Sequence, residues 1–463
     1  MNTTFDSKDI QGNIIRGYRR KLVRHLILEV VDAPAARRFL GASAAGNSAD
    51  VPAITREETW TVRPKSCFNI GLTYEGLKAL GISAKHLAEF PTEFVEGMTK
   101  RAPKLGDFGD SAPSNWPAPF DQPAKVHIVA SIHADVEKDL DQVEKQVAQS
   151  FNVIGVRNGR GLADSKVFFG FMDGISQPRF EEAHDPAQKY VNEPADPLGT
   201  ILLGYPTSLE NLEFRVPSPK ELGMNGSFNA FRVLGQNVNG FEAYLDKAAA
   251  ELLDHPDGDK LLAPGDEKKI GKGLDRTGAL REIVAAQMCG RWRNGVPYAS
   301  SPDTPFPNPE VSLTNFDYDH GSRCPVGSHL RRANPRGGKI VQRIANYTRR
   351  LVRRGMSYGP DFDPSKPDDA ERGLLGNFIG ANLGAQFEAV MCDWLNLGLQ
   401  DPNITGANDP LLGANSPETS WFDMTLKDGG SIRLRGFPRF VNTRGGAYTF
   451  LPSLTAIAYL SKL

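Results

Sequence analysis

Three kinds of side chain in this 463-residue chain can do chemistry that packing alone does not explain: a few histidines, one acid in aromatic company and a run of arginines. The eight histidines stand at 25, 86, 127, 133, 184, 255, 320 and 329, and no HExxH or other paired spacing sets two of them on one metal ion. His329 is the most informative, because GSRCPVGSHLRRANPR (321–336) is dense in Gly, Pro and Arg rather than smoothly amphipathic. An imidazole there can ligate a metal or simply bond to a neighbour, and position alone favours the second. His25 lies inside an apolar strand, and His127 and His133 lie on or beside another, where packing suffices.

The acid is Asp173, in FFGFMDGISQPRF (168–180), flanked by Phe168, Phe169, Phe171 and Met172 and followed by Gly174. Enclosure by aromatics would raise its carboxyl above the ordinary value of about 3.9, and a nearby arginine would bring it down again. Such a group can accept and return a proton; the alternative is an Asp-Gly turn in which Asp173 bonds its own backbone. In RRLVRRGMSYGP (349–360), strand alternation places Arg349, Leu351 and Arg353 on one face. An arginine facing a cavity stays cationic and stabilises charge developing on a substrate oxygen. The alternative is a solvated basic strand edge shared by Arg349, Arg350 and Arg354.

These groups need a scaffold, and the chain is long enough for two cores. KLVRHLILEVV (21–31), CFNIGL (67–72) and KVHIVASI (125–132) read as strands. Helical patterns follow the second and third, the last with Asp135 placed as its cap. Residues 181–199 read as a linker, with a domain boundary near 190. Beyond it come a strand at 228–235, a helix around AYLDKAAAELL, a long loop at 300–310, and strand-like and helical pieces to the end. Strands and helices without a strict βαβ rhythm predict an α+β fold, helices on one face of mainly antiparallel sheet.

Composition excludes several functions. Fifty-four basic and fifty-five acidic residues leave a net charge of -1, too little to hold a run of phosphates, so nucleic acid is not an expected partner. Cys67, Cys289, Cys324 and Cys392 form no CxxC pair, which argues against thiolate zinc and disulfide frameworks and for a reducing compartment. No run of about 18 apolar residues suggests a membrane span, and MNTTFDSKDIQGNIIRGYRR has no export-signal core, so a cytoplasmic location is expected.

Taken together, DIQGNIIRGY (9–18), GFMDGISQP (170–178), AAQMCGRWRNGVP (285–297), CPVGSHLRRANPR (324–336), RRGMSYG (353–359), RGLLGNFIGANLGAQFE (372–388) and RGGAYTFLPS (444–453) resemble the dye-decolorizing peroxidase family of haem enzymes. The resemblance spans most of the chain and implies two ferredoxin-like halves, antiparallel sheets with helices packed around a haem pocket. The halves are residues 1–190, carrying the distal GFMDG motif, and 191–463, carrying the proximal ligand. It implies haem b with His329 as the iron ligand, and Asp173 and Arg353 as distal catalytic residues. Gly174, Ile175, Ser176, Gln177 and Arg336 are the expected further contacts to the cofactor. The sequence departs from the family pattern at Ser357, where proline is common, and at Val326-Gly327-Ser328, where a bulkier or Ala-rich triplet is usual.

The function so implied is reduction of hydrogen peroxide and oxidation of dyes, phenols or similar one-electron donors through a ferryl intermediate. Asp173 moves the peroxide proton and Arg353 steadies negative charge. Bulky donors are expected to give electrons at a surface Trp or Tyr. The competing reading is a haem-binding or iron-releasing protein without peroxide turnover, using the same His329.

Overall fold

The computed structural model describes residues 5–180, 182, 194–318, 322–341 and 347–463. Its strands are β1 (Leu22–Glu29), β2 (Ser66–Leu72), β3 (Ile128–Ala134), β4 (Asn152–Arg160), β5 (Ser227–Gln236), β6 (Val352–Tyr358), β7 (Gly373–Gly380), β8 (Trp421–Thr425), β9 (Ser431–Arg435) and β10 (Val441–Leu451). Eight of them close into a barrel in the order β1-β3-β2-β10-β5-β7-β6-β4, with β8 and β9 forming a separate hairpin. Read from its two seams, the barrel is two antiparallel four-stranded sheets, β4-β1-β3-β2 and β6-β7-β5-β10, each with ferredoxin-like strand order. Within a sheet the pairing is long, as in Leu22↔Ala134 through Leu28↔Ile128; the seams show only Phe450↔Leu72 and Arg160↔Ser357. Closure removes the exposed edges that either sheet alone would carry.

The four runs read as strands at 21–31, 67–72, 125–132 and 228–235 fall on β1, β2, β3 and β5, whereas the periodicity singles out no strand at β4, β8 or β9. The expected boundary near 190 lies outside the described residues. Asp135 does not cap its helix, Glu137–Val147; its carboxylate instead takes Arg20 at 2.6 Å and the Lys21 amide at 3.2 Å. Alternation divides each strand between lumen and outside. On β1, Arg24 faces out and pairs with Asp141 and Glu144 of that helix, whereas His25 faces in and bonds Ser131 of β3 at 2.9 Å. The lumen is unusually polar: Asn229 of β5 donates to Asn377 of β7 at 2.9 Å, and His133 stands 3.5 Å from Asn13.

A second core lies outside the β5–β7 sheet, built on Phe241, Leu245, Ile283, Trp292, Phe437 and Phe440. Its helices are Val238–Leu253 and Arg276–Cys289, each capped by an Asn or Asp side chain accepting a backbone N–H three residues on. The second ends at Gly290 with φ 91°, where a β-carbon would crowd Leu330 at 3.3 Å. That close approach seats the segment carrying His329 against the helix end.

Candidate active site

His329 opens the short helix His329–Ala333. The preceding Ser328 is fully buried, and its hydroxyl donates to the Gln287 carbonyl at 2.5 Å, tying the segment to the Arg276–Cys289 helix. The imidazole Nδ1 lies 3.1 Å from Oδ2 of Asp409, a carboxylate with no exposure at all. The other Asp409 oxygen accepts the Leu411 and Leu412 amides at 2.9 and 2.8 Å. Burial pushes the Asp409 carboxyl up, but His329, Arg332 and the Leu412 amide outweigh it and hold it below the ordinary value. An ionised acceptor fixes the proton on Nδ1 and leaves the Nε2 lone pair with no protein partner among the described residues.

This donor set distinguishes between kinds of metal centre. Among the described residues no three His, Cys, Asp or Glu side chains gather as they would around a bare ion. One oriented imidazole, with its far nitrogen on a buried carboxylate, would fit an iron whose other protein-independent ligands were supplied by a macrocycle.

The Asp173 loop follows β4 in the chain but packs on the second core. Phe169 and Phe171 turn inward against Phe241, with ring centroids 4.7 and 6.3 Å away. Arg293 clamps the turn. Its carbonyl accepts the Met172 amide at 2.9 Å, its guanidinium donates to the Phe169 carbonyl, and its cation lies 5.3 Å over Phe171. Asp173 is therefore not enclosed by aromatics as expected: the rings go to the core and the carboxylate stands exposed. Nor does it close a turn on itself; its amide donates to Ser165 at 2.8 Å, and its carboxylate has no bond among the described residues. Gly174, with φ 70°, takes the left-handed conformation that turns the loop toward β6.

The loop is then sewn to Arg353. Gln177 accepts the Arg353 amide and donates to the Arg353 carbonyl, both at 2.9 Å, as a partner strand would. The Arg353 guanidinium donates to the Ser176 carbonyl at 2.9 Å, and Arg336 reaches the Ser176 hydroxyl at 2.9 Å while stacking 4.3 Å over Phe316. Ile175 sits over Gly295, where a β-carbon would meet it at 2.6 Å. Ser176, Gln177, Arg336 and Arg353 thus form one connected group, and Asp173 is carried on the same loop.

The neighbouring arginines correct another expectation. The strand begins at Val352, so Arg349 and Leu351 precede it, and none of Arg349, Arg350 and Arg354 is a solvated edge residue. Arg349 pairs with Asp393 at 2.9 Å, Arg350 with Asp196 at 3.1 Å, and Arg354 gives its donors to the Asn13, Ile14 and Ile15 carbonyls. Arg353, on the opposite face from Arg354, is the arginine left to the Asp173 loop. Sequence reasoning missed Asp409, Arg332 and Arg293, and no local signal separates Asp409 from the chain's other acids.

A family model described as the DyP dimeric alpha+beta barrel domain matches residues 9–160, the first half-barrel. Peroxidase 2 of Mycetinis scorodonius is 27% identical over 97% of this chain and 86% of its own length. The multifunctional dye peroxidase DyP2 of Amycolatopsis sp. is 27% identical over 98% and 95%. A solved dye-decolorizing peroxidase in complex with cyanide superposes with a TM-score of 0.79 at 26% identity, covering 99% of this chain and all of that one. The chain is thus similar over nearly its whole length to dye-decolorizing peroxidases, and its first third matches their barrel-domain model. The α+β fold with two ferredoxin-like halves is the one it shares with the solved dye-decolorizing peroxidase. No helix among the described residues is long and apolar enough to cross a membrane.

Proposed function

We propose that this chain is a dye-decolorizing peroxidase that binds haem b through His329 and reduces hydrogen peroxide with Asp173 and Arg353, drawing electrons from dyes or phenols. The observation that carries the reading is the His329–Asp409 pair at 3.1 Å, which orients the imidazole and leaves Nε2 free to donate. When bound, haem supplies the electrons that cleave the peroxide oxygen–oxygen bond and holds the oxidising equivalents until donors repay them. His329 holds the cofactor from one side, and Gly174, Ile175, Ser176, Gln177 and Arg336 contribute to its pocket.

Asp173, as carboxylate, takes the proton from one peroxide oxygen and returns it to the departing oxygen, which leaves as water. Its exposure and lack of bonds support this role, because the carboxylate is free to swing between the two oxygens. Arg353 offers fixed donors to the negative charge that develops as the bond breaks. Two one-electron donors complete the cycle; a related dye-decolorizing peroxidase was solved with 2,6-dimethoxyphenol. Of the tryptophans, Trp60 and Trp421 keep partial exposure, whereas Trp116, Trp292 and Trp394 are core, so electron entry from bulky donors is better served by the first two. Four free cysteines fit a reducing, cytoplasmic setting.

The test is the absorption spectrum of the purified holoenzyme before and after one equivalent of peroxide, followed by steady-state oxidation of a dye and a phenol. A Soret band that responds to peroxide, with donor turnover, is expected. A haem spectrum indifferent to peroxide and no turnover would leave a haem-carrying protein instead.

A further inference from the structure

Arg332 lies three residues beyond His329, one helical turn along the same short helix, and is 1% exposed. Its Nε donates to the Gly327 carbonyl at 3.0 Å, and its Nη1 to the Trp394 and Ala407 carbonyls at 3.2 and 2.8 Å. These three acceptors belong to the loop before His329, the helical segment Val390–Asn396 and the loop leading to Asp409. No carboxylate lies within 4 Å of the guanidinium among the described residues, and the bonds of Nε and Nη1 all go to backbone carbonyls. The Ala407 carbonyl that Arg332 holds lies two residues before Asp409, the carboxylate that meets His329 at 3.1 Å, so the buried cation, the buried carboxylate and the imidazole are tied into one cluster. A full charge buried in this way is costly to retain for tethering alone, because neutral donors can bond carbonyls without the desolvation.

We infer that Arg332 is a positioning residue for the proximal histidine: its buried cation moderates the pull of Asp409 on the His329 Nδ1 proton and thereby sets how strongly Nε2 donates to iron. The inference rests on His329 being the haem ligand, as proposed above. A carboxylate that draws the Nδ1 proton toward itself makes the imidazole more imidazolate-like and a stronger donor. A cation close to that carboxylate spreads its charge and weakens the draw. Arg332 also fixes the carboxylate in space, since the Ala407 carbonyl it holds is two residues from Asp409.

The experiment uses holoenzyme carrying Arg332→Gln, Arg332→Lys, Asp409→Asn and the Arg332→Gln/Asp409→Asn pair. It reads the ferric/ferrous midpoint potential and the iron–imidazole stretching frequency of the reduced protein. In Arg332→Gln, which keeps an amide donor but no charge, the potential is expected to fall and the frequency to rise. Arg332→Lys is expected to restore both toward the unmodified values. In the Asp409→Asn background the Arg332→Gln shift is expected to shrink to a small fraction, because the carboxylate through which it acts is gone. Equal shifts in both backgrounds, or a Lys variant displaced as far as the Gln variant, would overturn the inference. If the Gln variant does not accumulate as holoenzyme, the Lys variant decides: unchanged frequency supports the charge role and a changed one overturns it. The underlying reading fails separately, by an unmodified holoenzyme without a histidine-ligated spectrum or by one that survives His329→Ala.

Discussion

The barrel lumen and the layer outside it use the same residue types in opposite ways. In the lumen, His25 is spent on Ser131 and His133 faces Asn13, and both imidazoles are buried and kept neutral. Outside, His329 binds a carboxylate through one nitrogen and leaves the other without a protein partner among the described residues. The contrast repeats on β6 within one dipeptide. Arg354 gives its guanidinium to three carbonyls of the N-terminal segment, while Arg353 turns to the loop of Asp173. The two regions differ in where these side chains are committed: the lumen imidazoles meet neighbouring polar side chains, although Asn229 Oδ1 stays buried without a partner, whereas His329 turns one nitrogen to a carboxylate and keeps the other off the protein among the described residues.

The largest effect that would break this contrast is on haem retention. His329→Ala is expected to reduce haem affinity by more than the roughly 10–100-fold that loss of an outer partner costs, whereas His25→Gln should leave haem content intact. Haem per protein after desalting decides, and equal retention in both variants would erase the distinction between the two regions.

Next comes the acid. Asp173→Asn should keep the Soret band and slow the reaction with peroxide by about 10²–10⁴-fold in stopped-flow measurements, the usual worth of a positioned proton-transfer group. An unchanged rate would remove Asp173 from the mechanism.

The arginine pair sharpens the comparison further. Arg353→Leu is expected to cost about 10²-fold in the same rate with little change in stability. Arg354→Leu should do the reverse, lowering the unfolding midpoint by leaving three carbonyls without donors, while haem-loaded protein reacts at close to the unmodified rate. Exchanged outcomes would mean that the strand faces are assigned the wrong way round.

The smallest expected effect is in the lumen. Burial lowers His25 to about 3 and His133 to about 4, from an ordinary 6.5, with each also held down by a neighbouring group. The unfolded chain therefore binds protons that the folded barrel refuses, and stability present above pH 6.5 is lost as pH falls toward 4. The loss is on the order of a few kcal/mol for the pair. Urea unfolding between pH 7 and 4 should show it, and a His25→Gln/His133→Gln variant should flatten it; an identical slope in both proteins would assign the acid sensitivity elsewhere.

Much of the scaffold was legible beforehand because β-structure writes a period of two into the chain: KLVRHLILEVV and FNAFRVLG fall on β1 and β5 within a few residues. Barrel closure was not legible, since it depends on two thin seams, Phe450↔Leu72 and Arg160↔Ser357, that no local pattern announces. The motif around Asp173 was visible, but its environment was misjudged: the sequence places four apolar side chains beside the acid, and only the packing on Phe241 shows that Phe169 and Phe171 point away from it.

The amino-acid sequence by itself determined several of the strands and helices and the near-zero net charge, which are local properties of composition and short-range periodicity. It singled out His329, Asp173 and Arg353 only through the resemblance of its ordered motifs to a known family, since their residue types and spacing left other readings open. The tertiary structure alone decided that Asp409, 80 residues away in sequence, accepts the hydrogen bond of His329 Nδ1, that Gln177 grips Arg353, and that Arg353 rather than Arg354 faces the acid's loop. Each of those depends on the direction of a side chain across a contact between distant segments, and such directions exist only once both half-barrels and the second core have packed.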